Sequence, residues 1–143
     1  MTAATQIHPD KIRAYLATGY RIGHTSQDIV LTIGQRSERL AVLFASKGLD
    51  CGGFLTAYNP QGSVQSDAAN DRAHVDLAAK LQGLGLQASE GSGSEEGTHW
   101  PSEKSYFALG LTLDHAKEIG IHFDQDAIVW VGADAVPQLI LLR

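Results

Sequence analysis

Glu103 follows Trp100-Pro101, and a carboxylate in that setting could carry a proton or accept hydrogen bonds from a bound molecule. Trp100 could stack on a planar group. Asn59, Asn70 and Gln125 supply amides that could orient such a molecule. Asn70 is the most telling of these, because asparagine is unhelpful inside the first turn of a helix. Ser37 and Ser66 open predicted helices, where free N–H groups and the positive end of the dipole suit an anion; Gln35 lies just before the first. Serine there is chiefly a plain cap, and Asn59-Pro60 is a common turn pair.

Other chemistry has less to stand on. Gly91-Ser92-Gly93 has the flavour of a phosphate loop, but no GxxxxGK[ST] occurs and no helix is expected to follow. HxxxH and HExxH are absent, and His99 beside Glu95 and Glu96 is too loose a pattern for a metal centre. Cys51, beside Gly52-Gly53, reads as a small buried residue rather than a nucleophile. No GxSxG elbow is present to anchor a hydrolase triad.

The elements that must position these residues follow from periodicity. Pro9, Ile12, Tyr15 and Leu16 mark a first helix, ended by Gly19, and Tyr20–Ile22 turns extended. Strands are expected over 28–33, 53–58, 86–89, 105–111, 127–131 and 138–142. Helices are expected over 38–47, over about four turns after Ser66 along Ala69, Ala73, Leu77 and Leu81, and after Thr112. Residues 90–105, rich in glycine, serine and acid, read as a polar hairpin loop.

From residue 53 to 131 the order is strand, helix, strand, strand, helix, strand. That predicts an α+β fold, a ferredoxin-like split βαβ sandwich with an extra N-terminal helix, strand and helix and a C-terminal strand. Right-handed crossovers put the last two helices on one face. A three-layer arrangement is the alternative, if helix 38–47 crosses to the other face. Strands 53–58 and 86–89 would oppose 105–111 and 127–131. Asn59, Ser66, Asn70, the loop 90–105, Gln125 and Asp126 would then share one edge. Gln35 and Ser37 would join them if strand 28–33 runs parallel to 53–58.

Composition bounds the rest. With 143 residues and 43% apolar side chains, one domain over 1–143 is expected, burying about 70% of its unfolded surface. No apolar run approaches a membrane span, no secretory signal is visible at the start, and one cysteine builds no disulfide framework. A cytoplasmic location is expected, with no membrane partner. The net charge of −5 is uneven: residues 1–50 hold six basic and four acidic side chains, residues 51–143 five and twelve. An acidic chain without a basic run is a poor match for nucleic acid.

The same segments resemble a bacterial domain-of-unknown-function family, number 3293. The resemblance rests on IGQRS (33–37), FLTAYNP (54–60), the helix bearing Asn70, WPSEKSYFALGL (100–111) and FDQDAIVW (123–130), and spans about Tyr15 to Leu142. It implies that Asn59, Asn70, Trp100, Glu103, Ser105 and Gln125 occupy motif positions, and it implies no activity. Tyr58 stands where the family usually has tryptophan. Asp124 stands at a glycine position, which argues against a tight backbone turn there.

The leading expectation is a domain that binds a small polar ligand at that edge, with anionic and nucleotide-like compounds among the candidates. If it is an enzyme, Glu103 would be its acid or base. The acids of loop 90–103 make neutral, cationic or metal-escorted ligands rivals to an anion. The alternative is a protein-interaction module using the acidic loop 90–103 or an exposed sheet edge. No cofactor is identified. Under the ligand reading, Glu103→Ala and Asn70→Ala are expected to leave folding nearly intact.

Overall fold

Alternating apolar residues and well-capped helices organise the chain around one sheet. The computed structural model describes residues 5–23, 28–94 and 103–143. In chain order the elements are α1 (Pro9–Ala17), β1 (Gly19–Ile22), β2 (Ile29–Leu31), α2 (Glu38–Lys47) and β3 (Gly52–Leu55). After a short 3-10 turn at Pro60–Gly62 come α3 (Asp67–Gly83), β4 (Gln87–Ser94), β5 (Glu103–Leu109), α4 (Leu113–His122), β6 (Ala127–Val131) and β7 (Pro137–Leu141). The fold is α+β. Among the described residues, no helix is long and apolar enough to cross a membrane.

The helix ends are where their caps put them. Ser37 Oγ accepts from the Leu40 N–H, Ser66 Oγ from Ala69 and Thr112 Oγ1 from His115. Gly48 closes α2 in the left-handed conformation at φ 67°.

Among the described residues, seven strands run in the order β2-β1-β4-β5-β3-β6-β7, every neighbouring pair antiparallel. Strand alternation gives the sheet two apolar faces. On one, Leu55, Ala108 and Ile128 pack against Leu77 and Leu81 of α3 and Ala116 and Ile119 of α4. On the other, Tyr20, Phe54, Phe107 and Val129 pack against Leu40 and Phe44 of α2. Helices therefore flank both faces, which is the layering the sequence left as its alternative. Gly52 makes room for this second core, since a Cβ there would stand 2.5 Å from Cζ of Phe107.

The sheet curls. β2 and β7 are its two margins, yet Gly34 N donates to Pro137 O at 2.9 Å and Ser37 N to Ala135 O at 2.9 Å. That closure corrects the expected position of Gln35 and Ser37. Both follow β2 and lie beside the β6–β7 turn, at the opposite end of the central strands from Asn59. The direction of a strand did not decide this; the curl did.

Residues 90–94 and 103–105 are strand rather than the expected loop. β4 continues through Ser94 and β5 begins at Glu103, pairing Gly91 with Ser105 and Gly93 with Glu103. Positions 91 and 93 share the inner face with Tyr20 and Ile22 of β1. At Gly91 a Cβ would sit 2.2 Å from the Arg21 carbonyl oxygen, so the two backbones approach as only glycine permits.

Gly91→Ala is therefore expected to destabilise the fold by at least about 2 kcal/mol. Gly93→Ala, whose Cβ would meet nothing closer than 3.6 Å, should stay within about 0.5 kcal/mol of the parent. Urea denaturation of the two variants side by side checks this; equal losses would mean that Gly91 is not a packing constraint.

Candidate functional site

A cavity of about 410 Å³ opens on the inner face, beyond the end of β3, with α1 as one wall. Its floor is apolar: Tyr20, Phe54, Val129 and Leu139. From α1 come Lys11, Ala14, Tyr15 and the adjoining Thr18. The polar side is built by Asn59, Glu103, Ser105, Gln125 and Asp126. The space exists because this end of the inner face carries Gly93 and Ser105 where the other end carries Phe107 and Val131.

Asn59 is the hinge of the polar side. It adopts φ 44°, a left-handed conformation that asparagine tolerates better than most residues. Its Nδ2 donates to Glu103 Oε2 at 2.9 Å, which aims the carboxylate. Its own backbone N–H donates to Asn70 Oδ1 at 3.0 Å, and its Oδ1 accepts from Asn70 Nδ2 at 3.0 Å. Gln65 completes the ring: Nε2 donates to Asn70 Oδ1 at 2.8 Å and its N–H to Asn59 Oδ1 at 3.2 Å. Asn70, buried in the first turn of α3, thus holds the 59–65 turn rather than facing the cavity.

Gln125 arrives by a different route. α4 ends at His122, and Asp124 turns left-handed at φ 54° while Gln125 N–H donates to Gly120 O. The tight turn that the aspartate argued against is present. Aspartate sustains it because its short polar side chain lowers the steric penalty of that region. Gln125 Nε2 then donates to Tyr58 O at 3.1 Å, and Gln61 N–H to Asp124 O at 2.9 Å, stitching the two loops together.

Next to it lies the most buried charge of the site. The Asp126 carboxylate is 1% exposed and pairs with Lys11 through Oδ2. Arg143 Nε stands 2.9 Å from Oδ1, close enough for attraction but off the line of a hydrogen bond. Lys11 also donates to Gln61 O at 2.9 Å. One carboxylate so joins α1, the start of β6 and residue 143. Burial, then the Asp126 and Glu103 carboxylates, push the Tyr15 hydroxyl up to about 12, with Arg143 opposing.

Of the residues singled out from sequence, Asn59, Glu103, Ser105 and Gln125 border the cavity. Ser105 is buried, its Oγ donating to Glu103 O at 3.2 Å. Asn70 acts behind the site, and Ser66 is a cap at the start of α3. Gln35 and Ser37 belong to the other end of the sheet. Trp100 lies outside the described residues, as do Glu95, Glu96 and His99. Lys11 and Tyr15 went unnoticed as site residues, though their i, i+4 spacing puts them on one helix face. Among the described residues, no three His, Cys, Asp or Glu side chains are grouped to hold a metal ion.

On the opposite face, His74 of α3 is buried, stacked on Tyr106 at 4.3 Å and edge-on to Tyr58 at 6.0 Å. Neither ring nitrogen has a hydrogen-bond partner, and Glu90 Oε1 lies 3.7 Å from Nε2. Burial lowers the His74 pKa below 6.5, against the pull of Glu90 and Asp71 and with the help of Lys104.

Two outcomes are expected. Asn70→Ala removes the partners of Asn59 and Gln65 and should cost about 2–3 kcal/mol in urea denaturation. That replaces the expectation of nearly intact folding for this variant. For His74 the unfolded chain binds the proton more readily. Its contribution is therefore fully present above pH 6.5 and is lost as pH falls from 6.5 through the lower pKa of the folded state. The urea midpoint of the parent should drop from pH 8 to pH 5.5 more than that of His74→Phe; parallel curves would mean that His74 titrates as in the unfolded chain.

No curated protein and no solved structure matches the chain. A family model does match, over residues 55–128, and its description is "Protein of unknown function (DUF3293)". The match takes in the Asn59–Asn70 clamp, Glu103, Ser105 and Gln125; it is narrower than the Tyr15–Leu142 span of the resemblance, and the IGQRS segment precedes it. Covering half of the chain, it establishes that the protein belongs to this family of unknown function.

Proposed function

We propose that the protein binds a small molecule in the cavity beneath α1, with an apolar body on Tyr20, Phe54 and Val129 and a polar head against Asn59, Glu103 and Gln125. The observation that carries this reading is the cavity itself. Its volume falls in the range of small-molecule clefts, about 300–1,000 Å³, and it joins an apolar floor to a few convergent polar groups. Glu103 is held by Asn59, so its position does not depend on the ligand. Binding is favoured over catalysis because the other candidate groups of the lining are spent on the protein itself: Lys11 pairs with Asp126, and the Ser105 hydroxyl donates to the Glu103 carbonyl.

We also read β3-α3-β4-β5-α4-β6 as a ferredoxin-like unit, elaborated by α1, β1, β2, α2 and β7. The order β4-β5-β3-β6 and the shared face of α3 and α4 support that reading. On it, the ligand site is built by the elaboration, since α1 and β1 supply one wall.

A thermal-shift screen of amino acids, amines, nucleotides and sugar phosphates tests the reading, using the parent and Ala14→Trp. A ligand at a hundred times its Kd stabilises by about 2.7 kcal/mol, a shift of several degrees. Tryptophan at position 14 fills the cavity from the α1 side and should abolish the shift. A hit that raises the Tm of both proteins equally binds elsewhere and overturns the proposal.

A further inference from the structure

The polar groups of the cavity wall are mostly engaged by the protein itself. Lys11 is held by Asp126 and by Gln61 O, and Arg143 stands against the same Asp126. Thr18, Tyr20 and Thr56 each donate a hydroxyl proton to a backbone carbonyl, that of Ala14, Tyr15 and Lys104 respectively. Ser105 does the same with Glu103 O. Asn59 is engaged at both ends of its amide, and Glu103 has a further interaction beside the bond from Asn59.

These bonds bear on the ligand's charge from both sides. An anion would meet Glu103 and find Lys11 and Arg143 already set on Asp126. A cation would have to draw Glu103 or Asp126 away from the partners they hold. Either ion would give up its hydration without gaining an uncommitted counter-charge among the described residues, and that exchange is unfavourable. One acceptor is left over. Gln125 Nε2 donates to the Tyr58 and Phe123 carbonyls, which fixes the amide's orientation and leaves Oε1 without a bond among the described residues. Gln125 lines the cavity and is 8% exposed, a setting in which a polar atom normally has a partner. The floor of Tyr20, Phe54, Val129 and Leu139 offers apolar contact, the Tyr20 hydroxyl being spent on Tyr15 O.

We infer that the ligand is uncharged: an apolar body on Tyr20, Phe54 and Val129, with one hydrogen-bond-donating head, a hydroxyl or an N–H, on Gln125 Oε1. This inference rests on the cavity being the binding site. It turns away from the anions that the helix starts suggested, and from the cationic and metal-escorted compounds that the acids of loop 90–103 suggested.

Four compounds on one frame test it: 2-phenylethanol, its methyl ether, phenethylamine and phenylacetate, the last two being ions at pH 7. Their affinities for the parent protein and for Ala14→Trp are measured by calorimetry at that pH. 2-Phenylethanol is expected to bind about tenfold or more tightly than either ion. It should bind about fivefold more tightly than its methyl ether, which has no proton to give Gln125. All binding should be lost in Ala14→Trp, which fills the cavity. Tightest binding of either ion, lost in Ala14→Trp, would overturn the uncharged class while leaving the cavity as the site. An ether as tight as the alcohol would overturn the Gln125 contact. Binding of none of the four, or binding that survives in Ala14→Trp, overturns the cavity as well. Should Ala14→Trp fail to fold, the ranking on the parent protein still decides the charge.

Discussion

Where β1 lies against β4, the Arg21 carbonyl occupies the space that a side chain would need at residue 91, so this close approach of the two strands requires glycine there. Much of the architecture depends on this approach. The curl brings the chain after β2 to the start of β7 and encloses an inner face lined by Tyr20, Ile22, Phe54 and Val129. The same choice of residues creates the cavity. Gly91 and Gly93 face inward, as does Ser105, so the inner face is apolar and filled at one end and nearly empty at the other. A larger side chain at position 93 would fill the void and leave nothing to bind into.

Covering that void falls to α1, and here burial gives little help. None of its nine residues is buried, and a helix of that length is marginal in isolation. Its position is set by polar contacts instead: Lys11 on Asp126 and Gln61, and the Tyr20 hydroxyl on the Tyr15 carbonyl at 2.8 Å. A buried ion pair of this kind contributes little net stability, because desolvating Asp126 costs about as much as its attraction to Lys11 returns. What it supplies is a defined location for α1. Removing Lys11 would leave Asp126 with only the off-line contact to Arg143. The wall of the cavity is therefore specified by charge and its floor by packing.

Much of this was legible in the chain. The run Ala69, Ala73, Leu77, Leu81 identified α3, and Ser37, Ser66 and Thr112 identified three helix starts. The gathering of Asn59, Glu103 and Gln125 followed from strand order, since antiparallel neighbours bring the end of one strand beside the start of the next. Three things were not legible, each for a physical reason. The second half of β4 was hidden because glycine and serine imitate a loop in composition while obeying the two-residue period of a strand. The location of Gln35 and Ser37 depends on curl, a property of the whole sheet that no local window carries. The Lys11–Asp126 pair joins residues 115 positions apart, and neither residue differs in type from a solvated surface charge.

The polar residues of the site also divide by task in a way that type alone does not show. Asn70 and Asn59 exchange hydrogen bonds in both directions, and Gln125 spends its amide on the Tyr58 and Phe123 carbonyls. These bonds are made within the protein, although Asn59 and Gln125 also border the cavity. An isolated buried amide would be costly, and the clamp meets that cost by satisfying each partner within 3.3 Å. The contacts run on to Glu103: Asn70 holds Asn59, Asn59 holds Glu103, and Glu103 lines the cavity. A side chain so restrained has already lost the rotamer freedom that ligand binding would otherwise take from it. The amide network behind the site therefore does two jobs with the same bonds. It closes the 59–65 turn onto α3, and it holds the Glu103 side chain in place on the polar side of the cavity.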